Sequence, residues 1–124
     1  MDALIRYGFS VEEIRNIMNT NEDINNINDK EINSIIELLE KYNCKINHIK
    51  NIIITNPFLL TREIEEVEKT ICSLLDITKE VELLLDTNPF LLNIGERDIC
   101  STVRKLVNEG LKKEEVIDYL YFNI

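Results

Sequence analysis

The feature that most constrains the fold of this chain is an internal repeat of 32 to 35 residues. The dipeptide Thr-Asn occurs at 20–21, 55–56 and 87–88, and Asn123 continues the series, so successive asparagines are 35, 32 and 35 residues apart. The pentapeptide Asn-Pro-Phe-Leu-Leu follows at 56–60 and again at 88–92. Repeats of this length are typical of arrays built from one supersecondary unit, in which each unit covers the apolar face of its neighbour.

Apolar residues on both sides of each asparagine recur at helical spacing. Upstream, the spacing i, i+3, i+4 predicts the buried face of a first helix in each unit, called helix A: Ile14, Ile17, Met18; Ile49, Ile52, Ile53; Val81, Leu84, Leu85; Val116, Tyr119, Leu120. Downstream, the spacing i, i+4, i+7 predicts a second helix, called helix B: Ile32, Ile36, Leu39; Val67, Ile71, Leu74; Ile99, Val103, Leu106. The sequence therefore predicts an all-α, solenoid-like array of two-helix units.

Residues at the predicted helix ends agree with this division. Gly8, Asn43 and Gly110 follow helix B at equivalent positions, and both residue types tolerate the left-handed conformation that ends helices. Ser10 and Glu13 have the spacing of a capping box at the start of the first helix A. We predict N-caps of helix B at Asp29 and Thr61.

A short helical turn is predicted between helix A and helix B. Pro57 and Pro89 fit its first position, after Asn56 and Asn88. The Phe-Leu-Leu segments at 58–60 and 90–92 are expected to insert into the core. The first unit has Asn-Glu-Asp-Ile at 21–24 instead, so its turn is expected to be looser and more exposed, with Ile24 as its apolar residue.

At 124 residues the chain has the length of a single domain, and we expect one domain over 1–124 with units near 7–41, 42–76 and 77–109 and a partial unit at 110–124. The first residues lack the apolar run of a signal peptide, and no window approaches a membrane span. Three cysteines, an odd number, fit a reducing compartment. The expectation is a cytoplasmic protein without membrane partners.

The repeats resemble those of the mitochondrial transcription termination factor (mTERF) family. The segments that carry the resemblance are Tyr-Gly-Phe-Ser-Val-Glu-Glu-Ile at 7–14, its echo at 109–116, and Thr-Asn-Pro-Phe-Leu-Leu at 55–60 and 87–92. The resemblance covers nearly the whole chain. It implies a curved array with two α-helices and a 3₁₀ turn per unit, and binding of nucleic acid along a basic groove. This chain differs in being shorter than typical members and in being acidic, and from its first residues we expect no Arg-rich transit peptide.

Net charge and local charge point in different directions. Fourteen Lys and Arg against 23 Asp and Glu give a formal charge of −9, which disfavours nonspecific binding to polyanions. Basic residues nevertheless cluster at 41–50 and 104–113. The candidate nucleic-acid-binding residues are Arg15, Lys41, Lys45, Lys50, Arg104, Lys105, Lys112 and Lys113. Mixed-charge, solvated helix faces are the simpler interpretation, because other units carry Glu82 and Ile117 where Arg15 and Lys50 stand.

Catalytic and metal chemistry find little support in the sequence. His48 is the single histidine, and Cys44 lies four residues before it, which would place the two on one helical face. Position 48 aligns with outward glutamates, so a structural role is preferred. Cys72 and Cys100 are predicted to be partly buried apolar residues. We expect no enzyme activity, no metal and no cofactor.

Two functions remain open at this point. The first is a non-enzymatic binding module that holds a protein partner through its extended acidic surface. The alternative is a small nucleic-acid-binding protein of mTERF type that acts in transcription or its regulation. An apolar edge at the last helix A, formed by Tyr119, Leu120, Tyr121, Phe122 and Ile124, is expected either to fold back or to form a homo-oligomer contact.

Overall fold

The computed structural model describes residues 2–123, and these form α-helices and 3₁₀ helices with no β-strand among them. The eight α-helices of this range are α1 Asp2–Tyr7, α2 Val11–Thr20, α3 Asp29–Lys41, α4 Ile46–Thr55, α5 Ile64–Leu75, α6 Val81–Thr87, α7 Glu96–Asn108 and α8 Lys113–Phe122. The three 3₁₀ helices are η1 Glu22–Asn26, η2 Pro57–Thr61 and η3 Pro89–Asn93. The predicted order of helix A, short turn and helix B is confirmed. The structure divides into two compact units between Ile64 and Glu65.

The first unit contains α1 to α4 with η1 and η2. Helix α1 packs against α3, and α4 packs against both α2 and α3. The residues that the repeat pattern assigned to the buried faces form its core, and most are fully buried: Leu4, Ile17, Ile32, Leu39, Ile49, Ile52 and Ile53. Burying an aliphatic side chain of this size contributes about 1.5–3 kcal/mol, so this shared face accounts for the stacking of the helices.

The second unit contains α5 to α8 with η3. Helix α8 packs against α6 and α7. Its buried aliphatic residues again follow the repeat: Val67, Ile71, Leu74, Val81, Leu84, Leu85, Ile99, Leu106, Val116 and Leu120. Two pattern positions, Val103 and Tyr119, are half-buried. The helical faces predicted from spacing are therefore those that form the core.

Helix ends follow the sequence signals in most places. Gly8, Asn43 and Gly110 have φ of 109°, 67° and 96°, which confirms their left-handed conformation. The capping box of α2 is also confirmed: the Ser10 amide donates to Glu13 Oε1 at 2.8 Å, and the Glu13 amide donates to Ser10 Oγ at 3.1 Å.

The predicted N-caps of helix B were wrong. Asn28 rather than Asp29 caps α3, by accepting from the Glu31 amide at 2.9 Å. Thr61 lies in η2, where its hydroxyl donates to the Phe58 carbonyl at 3.1 Å, and α5 begins only at Ile64.

The phenylalanines of the 3₁₀ turns do not enter the core, which corrects the prediction from the sequence. Phe58 and Phe90 are each 47% exposed, whereas the two leucines that follow each of them are buried. A 3₁₀ helix has three residues per turn, so side chains three apart point the same way. Phe58 shares the outer side of η2 with the exposed Thr61. In η1, Ile24 is buried among exposed polar residues, which confirms that this turn is the more exposed one.

The asparagine that ends helix A links consecutive repeats within each unit. Asn21 is 3% exposed, and its side-chain amide donates to the Pro57 carbonyl at 3.1 Å and to Thr61 Oγ1 at 3.0 Å. In the second unit, the amide of Asn88 donates to the Leu120 carbonyl at 2.8 Å. A buried amide of this kind satisfies carbonyl groups that would otherwise be buried without a donor, which explains why asparagine recurs at this position.

Candidate nucleic-acid interface

The basic residues of the first unit concentrate at the turn between α3 and α4. Lys41 is the last residue of α3, and Lys45 is the N-cap of α4; both are exposed. The Lys41 ammonium lies 5.5 Å from the centre of the Tyr42 ring. The left-handed Asn43 reverses the chain between the two lysines, so both side chains project from one short turn. We call this turn with Lys41 and Lys45 the first basic turn.

The second unit has the same arrangement at the turn between α7 and α8. Lys105 lies in the last turn of α7, Lys112 is the N-cap of α8, and Lys113 is its first residue; all are exposed, as is Arg104. Gly110 takes the left-handed position of Asn43. We call this turn, with Arg104, Lys105, Lys112 and Lys113, the second basic turn. The turn before α6 differs, because Lys79 is flanked there by Asp76 and Glu80.

Lysine at a helix N-cap is unfavourable for stability. The N-terminus of a helix carries partial positive charge, and Ser, Thr, Asp or Asn are preferred there because their side chains accept backbone N–H groups. Ser10 has this role at α2, whereas Lys45 occupies the equivalent position of α4 and Lys112 that of α8. In α4 the first turn also lacks an acidic residue. Two of the repeats thus place a cation next to helix N–H groups, an arrangement suited to phosphate.

Lys50 and Arg15 do not belong to the first basic turn. The Lys50 ammonium donates to the Gly8 carbonyl at 3.0 Å and lies 5.6 Å from the centre of the Phe9 ring. Lys50 therefore fixes α4 against the turn that precedes α2. Arg15 is exposed on α2, on a different helix from the other candidates. Of the four candidates in the first unit, the structure brings Lys41 and Lys45 together.

The candidate Cys–His pair is not arranged as the sequence suggested. Cys44 is buried in the turn before α4 rather than on the helix, so it does not share a helical face with His48. Cys72 and Cys100 are exposed, which contradicts their predicted partial burial. Among residues 2–123 no group of three or more His, Cys, Asp or Glu side chains is arranged to hold a metal ion.

The apolar edge of α8 is smaller than predicted. Leu120 is fully buried, so it belongs to the core and not to an exposed edge. Tyr119 and Tyr121 are half-buried, and burial together with the charge of Glu80 raises the pKa of the Tyr121 hydroxyl. Phe122 is 76% exposed. Ile124 lies outside the described residues.

The stacked helix pairs and their basic turns define a helical-repeat module. A model of the mTERF family matches residues 1–121, and the chain belongs to this family. The resemblance seen in the sequence is thereby confirmed. The family consists of non-enzymatic proteins that typically bind nucleic acid. The comparison with curated proteins gave no match, and neither did the comparison with solved structures. In the described part of the chain, no helix is long and apolar enough to cross a membrane.

Proposed function

We propose that this chain is a nucleic-acid-binding mTERF repeat module that acts in transcription or its regulation, with its basic turns as the contact sites for phosphates. The observation that carries the proposal is the family match over 1–121 together with two lysines at helix N-caps, where they oppose the helix dipole. Lys45 and Lys112 lower helix stability, yet they stand at equivalent positions of two repeats. Binding of an anion explains why lysine is found there.

The overall charge sets a limit on this binding. The first unit has seven Lys and Arg against ten Asp and Glu, and the second has seven against 13, so their formal charges are −3 and −6. An acidic surface repels phosphates at distances up to the Debye length, about 8 Å at physiological salt. Productive contact is therefore confined to the basic turns, and affinity is expected to be modest and strongly dependent on salt.

Family membership favours this function over a purely protein-binding module. An acidic surface able to hold a basic protein partner is the second candidate, and the −6 charge of the second unit is the observation that supports it. Cytoplasmic localisation is part of our proposal and is testable with a fluorescent fusion of the chain.

Fluorescence anisotropy of labelled duplex DNA, duplex RNA and single strands tests the proposal. Lys45→Ser and Lys112→Ser are each expected to weaken binding about two- to fivefold, because an exposed ion pair contributes up to about 1 kcal/mol. Lys30→Ser is the matched control, since Lys30 is an exposed lysine of α3 outside both basic turns. Equal losses in all three variants, or no binding by the unchanged chain, would exclude the basic turns as the interface.

A further inference from the structure

Helix α4 shows how one repeat docks on the repeat before it. One face of α4 bears Ile49, Lys50 and Ile53, and both isoleucines on it are fully buried. From this face Lys50 reaches back 42 residues to the Gly8 carbonyl. The pKa of the Glu13 carboxyl in the preceding repeat is lowered. The hydrogen bonds of Glu13 with Ser10 are the main cause, and the nearby charge of Lys50 adds to it. The contact thus combines an apolar stripe with one cation placed near a carbonyl and a carboxylate.

The equivalent face of α2 is open. Val11, Ile14, Arg15, Met18 and Asn19 line a groove of about 290 Å³ along it. Arg15 corresponds to Lys50 and Met18 to Ile53, each 35 residues earlier. Val11 is 69% exposed, and Met18 is half-buried where Ile53 is fully buried. Among residues 2–123, no helix covers this face of α2, which is equivalent to the face with which α4 docks.

Helix α8 presents the complementary face. In the first unit, Ile17 and Asn21 of α2 are buried, and Asn21 donates to the Pro57 carbonyl of the next repeat. Their equivalents on α8 are Tyr119, which is half-buried, and Asn123, which is exposed. Glu115 corresponds to Glu13: its carboxylate accepts from the Lys112 amide at 3.1 Å, as that of Glu13 accepts from Ser10. Gly110 supplies the left-handed turn that Gly8 supplies before α2.

We propose that copies of this chain associate head to tail, with α2 of one copy packed on α8 of another as α4 packs on α2. Arg15 of one copy then donates to the Gly110 carbonyl of the other and lies near its Glu115, as Lys50 donates to the Gly8 carbonyl and lies near Glu13. Asn123 donates its amide to the backbone of η1 in the neighbouring copy, as Asn21 donates to Pro57 at the start of η2.

A second copy is the occupant for which both faces are matched. It carries Arg15, Glu115 and Asn123. These correspond to Lys50, Glu13 and Asn21, which make the contacts between repeats within the first unit. Such an interface is heterologous, so each copy keeps one open face and association can continue beyond a dimer. It uses neither basic turn and requires no nucleic acid.

Sedimentation velocity of the full chain over a concentration series tests this association. The unchanged chain is expected to associate reversibly, and Arg15→Glu is expected to weaken association at least about tenfold, because like charges placed together in an interface cost several kcal/mol. Arg97→Glu is the control with the same charge change, at an exposed position of α7 outside the second basic turn. A chain that is monomeric up to about 1 mM, or an Arg15→Glu variant that associates normally, would overturn the proposal.

Mixing two defective variants tests the head-to-tail geometry. Arg15→Glu damages the α2 face and Glu115→Lys damages the α8 face, so neither variant should associate alone. A one-to-one mixture retains one undamaged α2–α8 pair, and its other contact sets the two introduced charges, which are of opposite sign, against each other. The mixture is therefore expected to associate at least as tightly as the unchanged chain. If circular dichroism shows that Glu115→Lys is unfolded, Asn123→Ala replaces it as the α8 variant, because the Asn123 side chain is exposed where its equivalent Asn21 is buried. A mixture that stays monomeric would overturn the proposed geometry.

Discussion

Replacing Lys112 with serine is expected to stabilise the second unit at the expense of nucleic-acid binding. Half of a capping box is already present at α8, because the Lys112 amide donates to Glu115 Oε1 at 3.1 Å. In α2 the equivalent box is complete, since Ser10 Oγ also accepts the Glu13 amide at 3.1 Å. Serine at position 112 would supply the missing acceptor for the Glu115 amide.

The size of the effect follows from two contributions. A serine N-cap stabilises a helix by about 1 kcal/mol relative to a residue that cannot accept. Removing a cation from the positive end of an exposed helix adds about 0.3 kcal/mol or more. We therefore expect Lys112→Ser to raise the free energy of unfolding by about 1–1.5 kcal/mol. Urea unfolding followed by circular dichroism should show a higher midpoint with an unchanged slope.

The reverse substitution at α2 is the matched control. Ser10→Lys removes a complete capping box and places a cation at the equivalent N-cap, so it should destabilise the protein by about 1–2 kcal/mol. Lysine would not be locally unfavourable at these N-caps if two results were found together. Lys112→Ser would leave the midpoint of urea unfolding unchanged or lower it, and Ser10→Lys would leave the free energy of unfolding unchanged.

Three further predictions concern stability. Asn21→Ala should lower the free energy of unfolding in urea by about 2 kcal/mol, because the buried Pro57 carbonyl loses its donor. Asn123→Ala should change it by no more than about 0.5 kcal/mol at concentrations where the chain is monomeric. Phe58→Ser should cost less than about 1 kcal/mol and Leu59→Ala about 2–5 kcal/mol; equal costs would contradict the outward position of Phe58. Folding lowers the pKa of the Glu13 carboxyl below its ordinary 4.5, chiefly through the hydrogen bond from the Ser10 amide. The contribution of this carboxylate to stability is therefore complete above pH 4.5 and is lost as the pH falls through the lowered pKa. Glu13→Gln should flatten this part of an acid titration of stability.

Much of the fold could be predicted because the same apolar pattern recurs in several repeats. Each buried helical face appears three or four times at constant spacing, so an accidental apolar residue in one unit does not mislead. The left-handed positions were also predictable, since glycine and asparagine are the residues that adopt positive φ at little cost.

The errors arose where side-chain direction depends on turn geometry. Phe58 and Phe90 are apolar and follow proline, so they looked like core residues. Their outward direction follows from the three-residue period of the 3₁₀ helix, and the polar residues three positions later, Thr61 and Asn93, were the available signal. Cys44 was assigned to a helical face because the start of α4 could not be located from spacing alone.

The candidate interface was predictable in part. The clusters at 41–50 and 104–113 were visible as local charge. Their common position at the turn from helix B to helix A required knowledge of where α4 and α8 begin. That Lys50 would be used in packing could not be read from the sequence, because its partner, the Gly8 carbonyl, is 42 residues away.

The salt dependence of nucleic-acid binding tests the central claim most directly. If about four phosphates are contacted, the dissociation constant measured by anisotropy should rise about a hundredfold between 50 and 200 mM salt. Lys45→Ser and Lys112→Ser should each reduce the slope of log affinity against log salt by about one, and Lys30→Ser should leave it unchanged. Binding that is independent of salt, or absent even at the lower salt concentration, would contradict the account.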